Sequence, residues 1–365
     1  MALPSPRDPD ELRSTLAAWL STRVDSSVEV TSAGGPPTTG FSNETILADA
    51  TWDGSEHRLV VRVQPTTHTV FPHDLFEVQH RVMSALGGEP GLKVPTLRWY
   101  EEDASILGAP FMVMDRVDGE APCDSPPYTM EGWLKDGGED LQRAVWTTGL
   151  DAMAAVHAVD WQGLGLKDLD PCPDGGSRLG ARVDAWADFL AWCSPDVRQE
   201  IPELALAWLR ENQPPDIDDV ALCWGDSRIG NQLFGGRESA DTVHVAAVLD
   251  WEMVHVGDPI QDLGWFTWLD HTLSSGLDMP RLPGLPGYED TAARWEAATG
   301  RSTEHHRWAE INAGVGFAIV MVRLTALLQD SEIFPHDSDF ARTNMACVAL
   351  ERALAAMDVH PSDLS

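Results

Sequence analysis

The sequence is poor in cysteine and in basic residues, and both shortages limit what the protein can be. Its five cysteines are an odd number without a paired short spacing, so we expect neither a disulfide framework nor a zinc site. Such a chain suits a reducing, cytoplasmic compartment. The 25 lysine and arginine residues face 58 aspartate and glutamate residues, which gives a net charge of −33. That charge repels phosphate backbones and anionic lipids, so we expect neither nucleic acid nor a membrane surface as a partner.

The chain also lacks a long uninterrupted apolar run. The most apolar helical stretch, 313–328, contains Arg323 and is predicted to be too short and too polar to span a bilayer. The first residues, MALPSPRDPDEL, show no basic region followed by an apolar one, so we expect no signal peptide. Apolar residues make up 43% of the 365 residues and charged residues 23%, as is usual for a folded globular protein.

The predicted elements change in character near residue 117. Before it, we predict helices over 8–24 and 74–86 and strands over 46–50, 58–63, 96–100 and 111–117. After it, we predict helices over 141–159, 182–193 and 203–211, strand-like pieces over 220–223, 231–235 and 243–250, and a largely helical tail over 258–357. The prediction is a bilobal α+β protein with a small antiparallel, β-rich N-lobe, residues 1–117, and a larger, mostly helical C-lobe, residues 118–365. A cleft is expected where the lobes meet.

Two motifs in the C-lobe carry the chemistry, namely Trp224-Gly225-Asp226-Ser227-Arg228-Ile229-Gly230-Asn231 and Val248-Leu249-Asp250-Trp251-Glu252. Asp226 follows an apolar run, at a predicted strand end, where a carboxylate can accept or aim the proton of a substrate hydroxyl. Asn231 and Asp250 offer oxygen ligands of the kind that magnesium prefers. An ordinary turn would explain each residue alone. Together they indicate phosphoryl transfer from a nucleotide such as ATP.

Upstream residues offer candidate phosphate-binding positions. A loop of small residues before the strand 46–50 contains Gly40, Ser42 and Asn43. Its amides could cover phosphates, although a plain hairpin loop explains this segment equally well when it is taken alone. Arg62, on the strand 58–63, is a candidate for holding the α- and β-phosphates, with Glu77 as its ion-pair partner and Asp74 as the competing partner. A solvated strand arginine and helix glutamate are the other interpretation.

Two further aspartates lie in the segment 257–262 and are predicted to be structural. Asp258 precedes Pro259 and is expected to cap a helix. Asp262 is expected to hold the catalytic loop by hydrogen bonds from inside the C-lobe. Neither residue is assigned any chemistry.

These motifs, together with 107–114, give the chain a resemblance to the aminoglycoside phosphotransferase family, also called choline/aminoglycoside kinase-like. The resemblance covers most of residues 34–270 and is strongest to the branch near the kinase-like part of acyl-CoA dehydrogenase-linked proteins. It implies a protein-kinase-like fold and an enzyme, a kinase, that uses ATP and magnesium to phosphorylate a hydroxyl of a small molecule. GTP stays open as an alternative nucleotide.

The resemblance also implies roles for single residues by their position in the motifs. Asp226 would be the catalytic aspartate, and Asn231 and Asp250 would bind magnesium. Arg62 would fill the phosphate-binding position. The hinge beside the adenine ring would comprise Met114, Asp115 and Val117.

Two residues depart from the family pattern. Many relatives carry histidine at Trp224, where it supports the loop, so we expect the indole to replace it by packing. Arg62 stands where lysine is common, which keeps the charge but changes its geometry. A nucleotide-binding pseudokinase that acts as a scaffold therefore stays open. A third hypothesis is a metal-dependent hydrolase built on Asp226, Asp250, Asp258 and His255.

The acceptor also stays open between an aminoglycoside-like or other alcohol and a hydroxyacyl thioester. We expect it to bind between Asp226 and the helical tail. The candidates for lining its site are Trp251, Trp265, Trp268, His271 and the acidic residues nearby. Core packing is the other interpretation for the tryptophans and applies to most of the fifteen in the chain. An aminoglycoside would require several carboxylates around its amines, whereas a thioester would require an apolar channel and cationic groups, of which this acidic chain has few. The sequence does not indicate an oligomeric state.

Overall fold

A computed structural model describes residues 7–35, 43–66, 69–73 and 75–363. The strands within them are β1 Glu29–Gly34, β2 Glu44–Trp52, β3 Ser55–Val63, β4 Leu97–Glu101, β5 Phe111–Asp115, β6 Ala221–Cys223, β7 Gln232–Gly235, β8 His244–Val248 and β9 His255–Gly257. The helices are α1 Pro9–Val24, α2 Phe76–Leu86, α3 Ala104–Leu107, α4 Trp133–Asp136, α5 Gly138–His157, α6 Arg178–Cys193, α7 Glu200–Glu211, α8 Ile260–Thr272, α9 Tyr288–Thr299, α10 His306–Asp330, α11 Phe340–Thr343 and α12 Met345–Ala355.

The first part of the chain folds into one antiparallel sheet with the strand order β1-β2-β3-β5-β4. Asp53 and Gly54 join β2 to β3, and both have a positive φ, 50° and 74°, as a tight hairpin turn between twisted strands requires. Helix α1 packs its apolar stripe against this sheet; the buried residues of that stripe are Leu12, Leu16, Trp19 and Leu20. The elements predicted before residue 117 are therefore confirmed, with boundaries shifted by a few residues.

Strand β1 was not predicted, and its sequence explains why. Only Val30 of its six residues is buried, so the alternation that marks a half-buried strand is missing. The pairing of β1 with β2 is also irregular between Val30 and Ser32. Its place at the sheet edge depends on β2, not on an apolar pattern of its own.

The second part of the chain is built around helices α8 and α10, which pack against each other. Nearly every residue of α8 is buried. Helix α10 has 25 residues and a mean hydropathy of 1.9 over its most apolar window, so it is long and apolar enough to cross a membrane. Because 61% of that window is buried inside the protein, and core helices meet the same criterion, this is weak evidence for a span. The expectation that the stretch is too short was wrong, since the helix already begins at His306.

Two small antiparallel sheets position the predicted motifs. Strand β6 pairs with β9, and β7 pairs with β8. The loop 224–231 connects β6 to β7, and Asp250 follows β8. The amide of Leu249 donates to the carbonyl of Asn231 at 2.8 Å, which brings the two motifs side by side. The division of the chain into two domains at residue 117 stays a prediction.

Candidate active site

The buried carboxylate of Asp262 holds the loop 224–231 in place. The amides of Trp224 and Gly225 donate to Asp262 at 2.6 and 2.8 Å, and the hydroxyl of Ser227 donates to the carbonyl of Asp262 at 2.7 Å. Gly225 has a φ of 95°, and a Cβ there would lie 2.3 Å from the carbonyl oxygen of Met253. Only glycine fits this turn, and the predicted role of Asp262 is confirmed.

Asp262 is itself supported by residues that the sequence did not connect to it. Nε2 of His157 lies 2.9 Å from its carboxylate, and the indole of Trp295 donates to Nδ1 of the same histidine at 3.2 Å. Because an indole nitrogen can only donate, His157 carries its proton on Nε2 and donates it to Asp262. Burial opposes the charge of Asp262, yet the hydrogen bonds from His157 and Gly225 lower the pKa of its carboxyl.

Asp226 is fixed by three side chains. Its Oδ1 accepts from the indole of Trp265 at 2.7 Å and from Nε of Arg228 at 3.0 Å, and its Oδ2 accepts from the amide of Asn231 at 2.6 Å. Only 14% of its side chain is exposed. Burial, followed by the negative charge of Asp250, raises the pKa of Asp226 to about 7. This carboxyl is therefore aimed in one direction and can exchange a proton near neutral pH.

Asn231 and Asp250 present the oxygen atoms that a hard cation requires. The amide nitrogen of Asn231 is directed at the carboxylate and the carbonyl of Asp226, at 2.6 and 3.1 Å. Asp226 therefore does not occupy the amide oxygen of Asn231. Within the described part of the chain, Oδ1 of Asp250 is buried without a hydrogen-bond partner, a costly arrangement unless a cation compensates it. Asp250 has a φ of 60°. The two residues fit a magnesium ion, whose usual protein ligands are one or two carboxylates beside substrate phosphates.

Trp224 joins the two motifs. Its indole nitrogen donates to the carbonyls of Leu249 and Asp250, at 2.8 and 3.1 Å, and its ring is fully buried. The expectation that the indole supports the loop by packing is confirmed. It does more than pack, because it ties the backbone that carries Asp250 to the loop that carries Asp226.

Arg228 and Asp124 complete the site, and no role was predicted for either residue from the sequence. Nε of Arg228 lies 3.0 and 3.1 Å from the two oxygens of Asp226, and its Nη1 pairs with Asp124. Arg228 could have been found from the sequence, since it is the one basic residue in 224–231. Asp124 precedes it by 104 residues, so no spacing connects the two.

Only some of the predicted phosphate-binding residues of the N-lobe lie within the described part of the chain. Gly40, Ser42 and Asp74 lie outside the described residues, and Asn43 is buried. Arg62 stands between Thr45 and Met112 in the sheet, and its Nε is buried without a hydrogen-bond partner among the described residues. That orphaned donor fits an anionic ligand.

The predicted ion pair between Arg62 and Glu77 does not form within the described part of the chain. Glu77 is exposed in the first turn of α2. Its charge acts instead on His80 and Arg81, two neighbours on the same helix. The reason is geometric: in this structure the side chain of Glu77 faces solvent and not β3.

The three predicted hinge residues differ in their burial and in their hydrogen bonds. Met114 is buried in the hydrophobic core. The carboxylate of Asp115 pairs with Arg98 at 2.8 Å, and its amide donates to the carbonyl of Thr96 at 2.9 Å. The main chain of Val117 forms no backbone hydrogen bond with any described residue. The hinge role of these three residues stays a prediction.

Two of the residues predicted to line the acceptor site do not do so. Trp251 and Trp268 are fully buried, so their indoles are core residues. Trp265 holds Asp226 and stacks on Trp186 with their ring centres 6.4 Å apart. His271 is half-buried beside Trp268. The prediction failed because tryptophan pattern alone does not separate core from pocket.

Two of the four residues proposed for a metal-dependent hydrolase, His255 and Asp258, contact the nearby main chain. Nδ1 of His255 lies 3.0 Å from the carbonyl of Met253, and burial lowers the pKa of this histidine to about 4. Asp258 accepts from the amide of Ile260, the first residue of α8, at 3.0 Å. The N-cap position itself is held by Pro259, so Asp258 binds the start of the helix from one residue earlier than predicted. Among the described residues, no group of three or more His, Cys, Asp and Glu side chains is placed to hold a metal ion.

Comparisons with known proteins identify the family and the fold of the chain. The family model described as the phosphotransferase enzyme family matches residues 35–302. Acyl-CoA dehydrogenase family member 11 of Gallus gallus is 33% identical over 193 residues, which are 53% of this chain and only 22% of that protein. The chain thus matches about a fifth of that relative's length.

Solved structures share the fold. A candidate aminoglycoside phosphotransferase of Ralstonia eutropha superposes with a TM-score of 0.66 at 23% identity, covering 94% of this chain and 98% of that one. A ternary complex of aminoglycoside phosphotransferase APH(4)-Ia with ADP and hygromycin B superposes with a TM-score of 0.56 at 16% identity, covering 93% and 98%. The predicted bilobal α+β, kinase-like fold is confirmed. The chain belongs to the phosphotransferase enzyme family.

Proposed function

We propose that this protein transfers the γ-phosphoryl group of ATP to a hydroxyl of a small molecule, with magnesium as its cofactor. The observation that carries the proposal is the carboxylate of Asp226, which Trp265, Arg228 and Asn231 hold in one orientation. The complex of APH(4)-Ia with ADP and hygromycin B supports a nucleotide and a small alcohol as the two substrates.

In the proposed reaction, the acceptor oxygen attacks the γ-phosphorus. The new O–P bond forms while the bond to the bridging oxygen breaks, and ADP leaves with that electron pair. The proton of the acceptor hydroxyl passes to Asp226. A pKa of about 7 suits this role, since the carboxyl is ionised before the transfer at slightly alkaline pH and can release the proton afterwards.

Asn231 and Asp250 would hold magnesium, which neutralises charge on the phosphates when it is bound. The orphaned Oδ1 of Asp250 supports this assignment. Arg62, with its orphaned Nε, would bind the α- and β-phosphates. Val117 would meet the adenine ring through its free main chain.

The test is a phosphorylation assay with magnesium and either ATP or GTP against aminoglycosides, choline-like amines, sugars and hydroxyacyl thioesters. We expect turnover with ATP on one class, which Asp226→Asn lowers by about 10²- to 10⁴-fold because the proton acceptor is lost. Asp250→Ala should weaken binding of the magnesium–nucleotide complex. The control is Asp241→Asn, at an exposed position, which should leave the rate unchanged.

Full activity of Asp226→Asn on the true acceptor would show that the catalytic assignment is wrong. If no acceptor is phosphorylated while ATP still raises the melting temperature, the protein is a nucleotide-binding scaffold. A kinase and a nucleotide-binding scaffold both bind ATP, but only the kinase turns it over. Turnover and melting temperature measured on the same samples therefore distinguish the two functions.

A further inference from the structure

Arg228 is the cation at the centre of an acidic cluster. It contacts the carboxylates of Asp226 and Asp124, and the charges of Asp250 and Glu252 also act on it. Burial lowers the pKa of its guanidinium, and those two carboxylates oppose the shift. Only 23% of its side chain is exposed. A buried arginine among carboxylates stays charged, so Arg228 brings a fixed positive charge to within hydrogen-bond distance of Asp226.

The loop is shaped around the pair of Arg228 and Asp124. At Gly230 a Cβ would lie 2.7 Å from both carboxylate oxygens of Asp124 and 2.9 Å from Nη1 of Arg228, so any side chain there would displace the pair. Asp124 belongs to a connecting segment that is anchored to β7, because Glu120 and Phe234 exchange two backbone hydrogen bonds of 3.1 Å. Oδ1 of Asp124 is buried and accepts no hydrogen bond from any residue that the structure describes.

The guanidinium of Arg228 is only partly used in this arrangement. Its Nε binds Asp226 and its Nη1 binds Asp124, whereas its Nη2 donates to no described residue. A guanidinium presents five donors in a planar fork that matches the oxygens of a phosphoryl group. Arg228 therefore holds the aspartate that receives the hydroxyl proton and still has donors for a second anion.

We propose that Arg228 is a catalytic residue that stabilises the transferring phosphoryl group. Its Nε stays on Asp226, while its Nη atoms exchange Asp124 for the oxygens of the phosphoryl group as the bond to ADP breaks and the bond to the acceptor forms. This inference rests on the proposed function. The electron pair still leaves with ADP and the proton still goes to Asp226, so Arg228 adds charge stabilisation without altering the balance of the reaction.

This role predicts that Arg228 stabilises the transition state much more than the ground state with bound nucleotide. In the resting protein Asp124 already neutralises the Nη1 end of Arg228, so binding of the intact nucleotide gains little from it. The gain comes when the phosphoryl group is between donor and acceptor and its charge spreads over the equatorial oxygens. An arginine supplied to that state is worth about 10³-fold or more in rate.

The experiment compares Arg228→Gln and Arg228→Lys with wild type. The turnover number is measured with the acceptor that the phosphorylation assay identifies, and calorimetry measures binding of two probes with magnesium: AMP-PNP for the ground state, and ADP with aluminium fluoride for the transition state. We expect Arg228→Gln to lower the turnover number by about 10³-fold and to remove the preference for the aluminium fluoride complex. Its affinity for AMP-PNP should stay within about threefold of wild type.

The lysine variant and a matched control exclude a purely structural explanation. Arg228→Lys keeps the charge and should recover part of the rate. Arg143→Gln changes an exposed arginine on α5 and should alter neither rate nor binding. AMP-PNP binding in Arg228→Gln also reports whether that variant is folded.

Three results would overturn the inference. Arg228→Gln could keep the wild-type rate, or it could lose both probes equally, which would make Arg228 a residue that only positions the loop. A wild-type protein that phosphorylates no acceptor overturns the proposed function and this inference with it. An active wild-type protein beside an unimpaired Arg228→Gln variant overturns only the role of Arg228.

Discussion

Asp226 is subject to opposing influences from its surroundings. Burial and the charge of Asp250 raise its pKa to about 7, whereas the hydrogen bonds from Trp265 and Asn231 act in the opposite direction. The raising effects dominate because a nearby like charge in a dry site is costly. The carboxyl is therefore mostly protonated at pH 5 and mostly ionised at pH 8 before a cation binds.

A titration of the Asp226 carboxyl tests this explanation. In the magnesium-free protein, carbon-13 NMR of labelled aspartate should show one carboxyl with a pKa near 7. Asp250→Asn should lower that pKa, because it removes a negative neighbour. Asp241→Asn, at an exposed position, serves as the control and should leave it unchanged. A wild-type pKa below 5, or no shift in Asp250→Asn, would contradict the electrostatic explanation. The kcat/KM of the wild type should rise with pH through the same pKa.

At the scale of elements, the site depends on how closely α8 approaches its neighbours. Helix α8 carries Asp262 and Trp265, which hold the loop and Asp226. Its contact with α10 is made close by Gly264, where a Cβ would lie 2.5 Å from the backbone of Ala309. The same helix therefore joins the core of the C-lobe to the catalytic residues.

Gly264→Ala tests that close packing. The added methyl group must push α8 and α10 apart, so we expect a loss of about 1–3 kcal/mol in the free energy of unfolding, measured by urea denaturation. Because Asp262 and Trp265 would shift with α8, turnover should fall as well. Gly34→Ala is the control, since a Cβ there meets nothing within 4 Å and should change stability by less than about 0.5 kcal/mol. Equal stability of Gly264→Ala and wild type would show that the interface can relax.

At the scale of the whole molecule, the net charge of −33 dominates the electrostatics. Like charges spread over one folded chain repel each other and destabilise the compact state. Many arginines form ion pairs with exposed carboxylates, such as Arg294 with Asp151 and Arg352 with Asp278, but exposed pairs contribute little. Repulsion should therefore outweigh these pairs.

Salt should accordingly stabilise the protein. We expect the melting temperature at pH 7.5 to rise between about 0.02 and 0.3 M NaCl, because the screening length falls below the spacing of the surface charges. At pH 5, close to the isoelectric point of about 4.5, the same salt series should have a smaller effect. A melting temperature that falls with salt at pH 7.5 would mean that the ion pairs outweigh the repulsion.

The sequence by itself determined the motif residues and most elements. Asp226, Asn231 and Asp250 could be recognised because their chemistry depends on residue type and short spacing along two loops. Helices such as α2 and α5 could be recognised because their buried residues follow the helical period. Strand β1 was not predicted because its burial depends on a neighbouring strand.

Only the tertiary structure decided which side chains surround those motif residues. Asp124, His157 and Trp295 are each more than 100 residues from the atoms they support, and no local pattern records such contacts. Trp265 was expected to line the acceptor site, yet its indole binds Asp226; the buried Trp251 and Trp268 belong to the core. The physical reason is the same in each case: propensity and periodicity act over a few residues, whereas burial and hydrogen-bond partners are fixed only when distant elements pack.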